Sequence, residues 1–133
     1  MTDLGAVQEA TRHIEKELGL VTGILHGAGI SQPRLFRDME IESYLHCLRV
    51  KARGLYNLLA TVPPQQLKAL HVTSSVLGKT GMQGQADYTL ANAWLDGAVS
   101  EIAIAYPQMH CLSLGYSVWA ATGLGKNLGT VDS

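Results

Sequence analysis

Three short apolar segments that alternate with long helical stretches constrain the fold of this 133-residue chain more than any other feature. The segments are residues 20–26, 70–75 and 109–114, and we interpret each as a buried strand. Strands of a parallel sheet are buried on both faces, so they need not show a strict apolar–polar alternation. Strands separated by helices are typical of a parallel sheet with helices on both faces. The pattern therefore predicts an α/β fold.

The intervals between these segments show the spacing and the end signals of helices. Apolar residues recur at helical spacing, a glycine follows the first stretch, and prolines follow the other two. The predicted helices begin at the N-cap residue Asp3, cover residues 39–60, and cover residues 87–105. Gly78, Gly81 and Gly84 predict a loop before the last helix. No glycine-rich turn of the dinucleotide-binding type joins a strand to a helix, so the chain has the pattern of the second half of a nucleotide-binding domain.

Composition excludes several classes of function. Hydrophobic residues make up 47% and the formal net charge is −1, which predicts a globular domain that attracts neither nucleic acid nor an anionic membrane. No apolar run approaches the ~20 residues of a membrane helix, and no signal peptide is visible. Cys47 and Cys111 lack a paired spacing, which favours the reducing cytoplasm. The histidines are too scattered to predict a metal site; they are His13, His26, His46, His71 and His110.

The segment from residue 73 to residue 96, TSSVLGKTGMQGQADYTLANAWLD, contains the residues with the clearest chemistry. Ser75 ends a predicted strand, where open α/β sheets bind ligands. Tyr88 and Asn92 are four residues apart, so they share one face of the following helix. A phenol has an unperturbed pKa of about 10, and a nearby cation is needed to make it useful at neutral pH. Lys51, on the preceding helix, supplies that cation, so the four residues form a candidate set that polarises a carbonyl and relays a proton.

At these residues the chain resembles the ketoreductase domain of polyketide synthases, within the short-chain dehydrogenase/reductase superfamily. The resemblance rests on residues 25–29 (LHGAG), 51–58 (KARGLYNL), 74–96 and 114–124 (LGYSVWAATGL). Ketoreductases exchange lysine and asparagine between the two helices relative to most of the superfamily, as Lys51 and Asn92 do here. That exchange disfavours a dehydrogenase acting on a free small alcohol. The resemblance implies a Rossmann-like sheet and NADPH as the cofactor.

The resemblance implies a catalytic role for each of four residues. Tyr88 donates a proton to the carbonyl oxygen, and Ser75 donates a hydrogen bond to the same oxygen. Lys51 lowers the pKa of Tyr88 and holds a ribose hydroxyl of NADPH. Asn92 orients the lysine and a relay water.

The resemblance also implies a set of cofactor contacts at the ends of two strands. Gly27, Ala28 and Gly29 let the backbone approach NADPH closely. Ser117 and Val118 offer backbone contacts to its carboxamide, and Lys51 and Tyr88 complete the set. The residues that correspond to the first strands and the phosphate loop are expected to lie before Met1.

These implications lead to one expected function and one alternative. Residues 1–133 are expected to form the C-terminal half of a ketoreductase domain that reduces a β-ketoacyl thioester on acyl carrier protein. Its partners would be that carrier, the other domains of a polyketide synthase and the missing N-terminal half. The alternative is a non-catalytic half-domain that folds or works only with a complementary segment. Val50, residues 30–33 (ISQP) and Thr80 depart from the family pattern and leave the stereochemistry of the alcohol open.

Overall fold

A computed structural model describes residues 1–118 of the chain. Within that range the principal elements alternate between helix and strand. They are α1 (Leu4–Leu18), β1 (Gly23–His26), α2 (Ile41–Thr61), β2 (Ala69–Ser75), α3 (Leu77–Thr80), α4 (Ala86–Ala105) and β3 (His110–Tyr116). Asp3 caps α1, because its carboxylate accepts a hydrogen bond from the backbone N–H of Ala6, and Gly19 ends that helix at φ +89°.

The three strands form one parallel sheet in the order β1-β2-β3. Gly23 pairs with Ala69, which pairs in turn with His110, so the strands start at one edge and end at the other. The α/β, Rossmann-like architecture predicted from the sequence is confirmed. Because the strands are parallel, all three carboxyl ends lie at one edge, which is where sheets of this kind bind their ligands.

One face of the sheet forms the hydrophobic core. Ile24, Leu70 and Val72 point to this face and pack against Leu55 of α2 and Leu95 of α4. The two long helices also contact each other and thereby fix the relative positions of the side chains that they present to the sheet.

The opposite face of the sheet is more exposed in the part of the chain that the structure describes. Leu25 of β1 is 70% exposed, and its register partners His71 and Leu112 are only partly covered. The described helices pack on the other face, so the expectation of helices on both faces stays a prediction.

Two details differ from the sequence-based expectation. The segment predicted as a glycine loop contains the short helix α3, and only Gly81 and Gly84 adopt a positive φ. The first strand begins at Gly23 rather than at residue 20, because Val21 bonds to the side chains of Glu15 and Gln66 instead of to a neighbouring strand.

None of the helices within residues 1–118 is long and apolar enough to cross a membrane. The predicted segment 114–124 extends beyond that range, so its residues 119–124 lie outside the described residues, as do residues 125–133.

Candidate functional site

The carboxyl edge of the sheet brings together residues that are far apart in the sequence. Gly27, Ala28 and Gly29 follow β1, and a Cβ atom at Gly27 would meet the Thr73 side chain at 3.6 Å. Ser75 ends β2 and pairs in register with Tyr116, after which come Ser117 and Val118. The predicted cofactor residues therefore follow strand ends at the same edge as Ser75.

Lys51 reaches this edge from α2. Its ammonium group is buried and donates a 2.8 Å hydrogen bond to the carbonyl of Thr73, next to Ser75 on β2. The same nitrogen lies 5.9 Å from the centroid of the Tyr88 ring. Burial lowers the pKa of Lys51, while the nearby Cys47 and Asp96 side chains act to raise it.

Gly29, in the loop after β1, lies close to the Lys51 side chain. A Cβ atom at Gly29 would lie 3.2 Å from Cε and 3.3 Å from Nζ of Lys51. A larger residue would therefore press on the lysine side chain, so glycine at this position has a packing reason of its own.

Tyr88 and Asn92 occupy one face of α4, as their spacing predicted. The Asn92 side chain is fully buried and donates from Nδ2 to the Tyr88 carbonyl at 2.7 Å. Its other polar atom, Oδ1, is buried without a hydrogen-bond partner among the described residues. A buried acceptor without a donor costs free energy, so this atom marks a position where a bound water or ligand donor would be stabilised.

The environment of Tyr88 keeps its phenol protonated. Burial raises the pKa of Tyr88, and hydrogen bonding by the side chains of Asn92 and Ser75 acts to lower it. The net direction is upward, so the lowering by Lys51 that the resemblance implies remains a proposal. A neutral phenol is the form that can donate a proton.

Ser75 is buried at the end of β2, where its oxygen accepts a 3.2 Å hydrogen bond from the backbone N–H of Leu77. Its hydroxyl hydrogen is therefore available to another acceptor, such as the Tyr88 oxygen or a ligand oxygen. Ser75, Tyr88, Asn92 and Lys51 thus come together at one edge of the sheet, on the elements that the sequence indicated.

His26 is a structural contributor that sequence reasoning treated as unremarkable. It is buried at the end of β1, and its Nε2 lies 2.9 Å from the backbone carbonyl of Lys51. Gly54 admits the ring, since a Cβ atom there would lie 3.0 Å from His26 Cε1. Burial lowers the pKa of His26, so the neutral ring donates from Nε2 and joins β1 to α2 beside the lysine.

Other buried residues near the site make polar contacts that the sequence analysis did not predict. They are Cys47 on α2, Gln85 at the N-cap of α4 and Asp87 in the first turn of α4. Ser31 donates to Oε1 of Gln85 at 2.9 Å. The sequence did hold a signal that two of these residues lie near the candidate site. Asp87 directly precedes Tyr88, and Cys47 precedes Lys51 by one helical turn.

The residues at this edge fit the nicotinamide end of a dinucleotide better than its diphosphate. Small residues at positions 27–29 leave room for close backbone approach, and the unpartnered Asn92 oxygen lies beside the predicted catalytic groups. Residues 1–118 include no glycine-rich turn that joins a strand to a long helix in the manner of a phosphate-binding loop. Within the same range, no group of three or more His, Cys, Asp or Glu residues is placed to hold a metal ion.

Comparison with known proteins agrees with this geometry. A family model described as "KR domain" matches residues 1–121. The chain belongs to the KR domain family. A ketoreductase domain from the bacillaene assembly line has a solved structure that superimposes with a TM-score of 0.83, at 28% identity over 98% of this chain. The resemblance to polyketide synthase ketoreductases of the short-chain dehydrogenase/reductase superfamily is thereby confirmed.

Curated relatives of this KR chain are large synthases. A highly reducing polyketide synthase of Eupenicillium brefeldianum is 33% identical over 71% of the chain. A polyunsaturated fatty acid synthase polypeptide of Thraustochytrium sp. is 37% identical over 68% of the chain. An alcohol dehydrogenase of the archaeon Thermococcus sibiricus, at 15% identity and a TM-score of 0.83, shares the fold.

The KR chain spans only part of each of these proteins. It covers 32% of the solved bacillaene-line ketoreductase, 4% of the Eupenicillium synthase and 3% of the Thraustochytrium polypeptide.

Proposed function

We propose that this chain is the catalytic, C-terminal half of a ketoreductase domain that reduces a β-ketoacyl thioester to the β-hydroxyacyl thioester. The observation that carries the proposal is the meeting of Ser75, Tyr88 and Lys51 at the carboxyl edge of the parallel sheet. Three polar groups on three different elements converge there, and a protonated phenol lies among them. Such a set suits proton donation to a carbonyl oxygen.

In the proposed reaction each side chain has a defined task. Ser75 donates a hydrogen bond to the carbonyl oxygen and stabilises the negative charge that develops on it. Tyr88 gives that oxygen its phenolic proton. Lys51 stabilises the resulting phenolate through its positive charge. Asn92 donates from Nδ2 to the Tyr88 carbonyl, and its Oδ1 would accept a hydrogen bond from a relay water.

NADPH, when bound, supplies the hydride that adds to the carbonyl carbon. Gly27, Ala28 and Gly29 would let it approach the backbone, and Lys51 would hold a ribose hydroxyl. Ser117 and Val118, exposed after β3, would offer backbone groups to its carboxamide.

The proposed partners follow from the relatives, which are named as polyketide synthases and of which this chain spans only a few per cent. An acyl carrier protein would present the thioester, and the other domains of a polyketide synthase would supply and use it. An N-terminal half-domain would complete the sheet and the phosphate loop. A cytoplasmic location suits the two cysteines, neither of which is in a disulfide.

Substitution of the proposed proton donor tests this function. In a complete domain assembled from this chain and an N-terminal half, Tyr88→Phe should lower the rate of ketone reduction by at least about a hundredfold, because it removes the only proton that the ring can give. The rate is measured as NADPH consumed with a small β-ketoacyl thioester.

The matched control is Tyr56→Phe, which removes the same hydroxyl from a residue of α2 that is 68% exposed. It should leave the rate unchanged. Full activity of the Tyr88→Phe protein would overturn the assignment.

A non-catalytic half-domain is the second candidate function, favoured by the exposed sheet face at Leu25. Calorimetric titration with NADPH separates the two functions. Binding that appears only when the N-terminal half is added supports the split dinucleotide site of the reductase. Absence of binding in both conditions favours the half-domain.

A further inference from the structure

Behind the proposed catalytic groups, a buried thiol joins the loop after β1 to the helix that carries Lys51. Cys47 is 3% exposed and lies one turn before Lys51 on α2. Its sulfur lies 3.4 Å from the carbonyl oxygen of Ile30, which follows Gly29 in the loop beside the lysine. The thiol therefore acts as a donor toward the loop that contacts the Lys51 side chain.

A buried carboxylate joins the same thiol to the start of α4. Asp87 is 4% exposed, and its Oδ1 accepts a 2.7 Å hydrogen bond from the backbone N–H of Tyr88. The Asp87 carboxylate is also close enough to Cys47 to raise the pKa of its thiol. Cys47 thus faces two acceptor groups, the Ile30 carbonyl and the Asp87 carboxylate, on two different segments. We call this arrangement the Cys47–Asp87 contact.

A protonated Cys47 thiol and an ionised Asp87 carboxylate are compatible neighbours in this contact. Burial, and then the adjacent Asp87 carboxylate, raise the pKa of the Cys47 thiol to about 12, so it stays a protonated donor. The carboxylate lies in the first turn of α4, where the positive end of the helix dipole favours a negative charge. A buried carboxylate needs such partners, since an isolated one would be costly.

We propose that Asp87 and Cys47 are positioning residues that fix Tyr88 relative to Lys51. Neither touches a reacting atom. Asp87 is bonded to the backbone of Tyr88, Cys47 shares a helix face with Lys51, and the contact between them sets the distance between the two helices at the point where these catalytic side chains meet. This inference rests on the proposed reductase function.

A structural cap and a positioning residue make different kinetic predictions. If Asp87 only capped α4, its loss would lower the folded fraction and leave kcat per folded molecule unchanged. If it positions Tyr88, its loss lowers kcat and leaves KM unchanged, because Asp87 is buried and does not meet the substrate. Misplacement of a catalytic group by about 1 Å costs up to about a hundredfold in rate.

The experiment compares Asp87→Ala with Asp87→Asn in the complemented domain, with kcat and KM measured on folded protein quantified by circular dichroism. We expect Asp87→Ala to lower kcat by about ten- to a hundredfold. Asp87→Asn keeps an acceptor for the Tyr88 N–H and the thiol and should remain within about threefold of wild type. Asp38→Ala, which removes an exposed carboxylate that pairs with Arg37, is the matched control.

The cysteine gives a second, independent pair of variants. Cys47→Ala should lower kcat, and Cys47→Ser should restore it because the hydroxyl donates to the same acceptors. The effects of Cys47→Ala and Asp87→Ala should be non-additive, as expected for groups that act through one contact. If Asp87→Ala does not fold, the Cys47 variants test the positioning role without it.

Each outcome has one interpretation. Wild-type kcat in both alanine variants would overturn the positioning role while the reductase function stands. A wild-type domain that reduces no β-ketoacyl thioester would overturn the proposed function, and this inference with it. A lower kcat in Asp87→Ala and Cys47→Ala, together with recovery of kcat in Asp87→Asn and Cys47→Ser, supports the positioning role.

Discussion

Burial shifts the pKa of two titratable side chains near the carboxyl edge of the sheet in opposite directions. It raises the pKa of the Tyr88 phenol and lowers that of the His26 imidazole, because in both cases the charged form loses its hydration. Each side chain is therefore held neutral. For Tyr88 this preserves a proton that can be donated, and for His26 it preserves an Nε2 donor to the Lys51 carbonyl.

The neutral state of His26 predicts a pH-dependent stability. The folded pKa lies below the ordinary value of 6.5, so the unfolded chain binds a proton first as the pH falls. The contribution to stability is therefore fully present above pH 6.5 and declines from there toward the lower, folded pKa. Urea denaturation of the chain at about pH 7.5 and about pH 5.5 measures the loss.

His26→Asn provides the comparison for that measurement. It lacks the titrating group, so its free energy of unfolding should fall less between the two pH values than that of the wild type. His13→Asn is the control, because His13 is exposed on α1. The free energy of unfolding of this variant should change between the two pH values by as much as that of the wild type. If the free energy of unfolding depends on pH equally in the His26→Asn and wild-type proteins, His26 is not the source of the pH dependence.

At the scale of elements, the short helix α3 depends on one glycine. A Cβ atom at Gly78 would lie 3.0 Å from the backbone nitrogen of Ala93 and 3.1 Å from the carbonyl carbon of Asn92. Backbone atoms within α4 cannot move aside as a flexible side chain can. The close approach of α3 to α4 thus requires glycine at position 78, and it places α3 directly against the Asn92 turn.

Gly78→Ala should therefore destabilise the chain by about 1–3 kcal/mol, the usual cost of overpacking. The measurement is the midpoint of urea denaturation at constant slope. Gly97→Ala on α4 is the control, because a Cβ atom there meets nothing within 4 Å. It should stabilise the helix by about 0.5–1 kcal/mol. A neutral effect at Gly78 would mean that α3 and α4 separate freely.

The sequence alone predicted the long elements because their signals are local. The Asp3 cap, Gly19 and the i, i+4 pair Tyr88–Asn92 each act within a few residues, and the structure has them as expected. The helix α3 was not predictable, because three spaced glycines are typical of a loop and the contacts that stabilise a helix there come from α4 and from the end of β2. The Cys47–Asp87 contact was missed for a similar reason, since it joins residues 40 positions apart.

At the scale of the whole molecule, the sheet has one covered face and one open face among residues 1–118. The open face carries Leu25, Leu112 and a pair of histidines, His71 and His110, whose ring nitrogens are 3.1 Å apart. Exposed apolar surface on a sheet favours association with another surface. The open face is therefore where the chain is most prone to bind itself or a complementary segment.

Leu25→Gln should reduce self-association of the chain, observed as a shift toward the monomer in size-exclusion chromatography across a concentration series. Leu18→Gln is the control, because Leu18 is 84% exposed but lies at the end of α1, away from the sheet. It should leave the elution unchanged. Equal effects of the two substitutions would show that general surface hydrophobicity, and not this face, governs association.

The parallel pairing of the strands also dictates when the site comes into existence during folding. Gly23 pairs with Ala69 and Ala69 with His110, so each pairing joins residues more than 40 positions apart and requires a whole helix to be in place between them. Pairings of this kind form slowly, because the entropy of closing the chain is lost before any contact compensates for it. Both crossovers must therefore be in place before the three strand ends meet at the carboxyl edge, whereas Tyr88 and Asn92 become neighbours as soon as α4 forms.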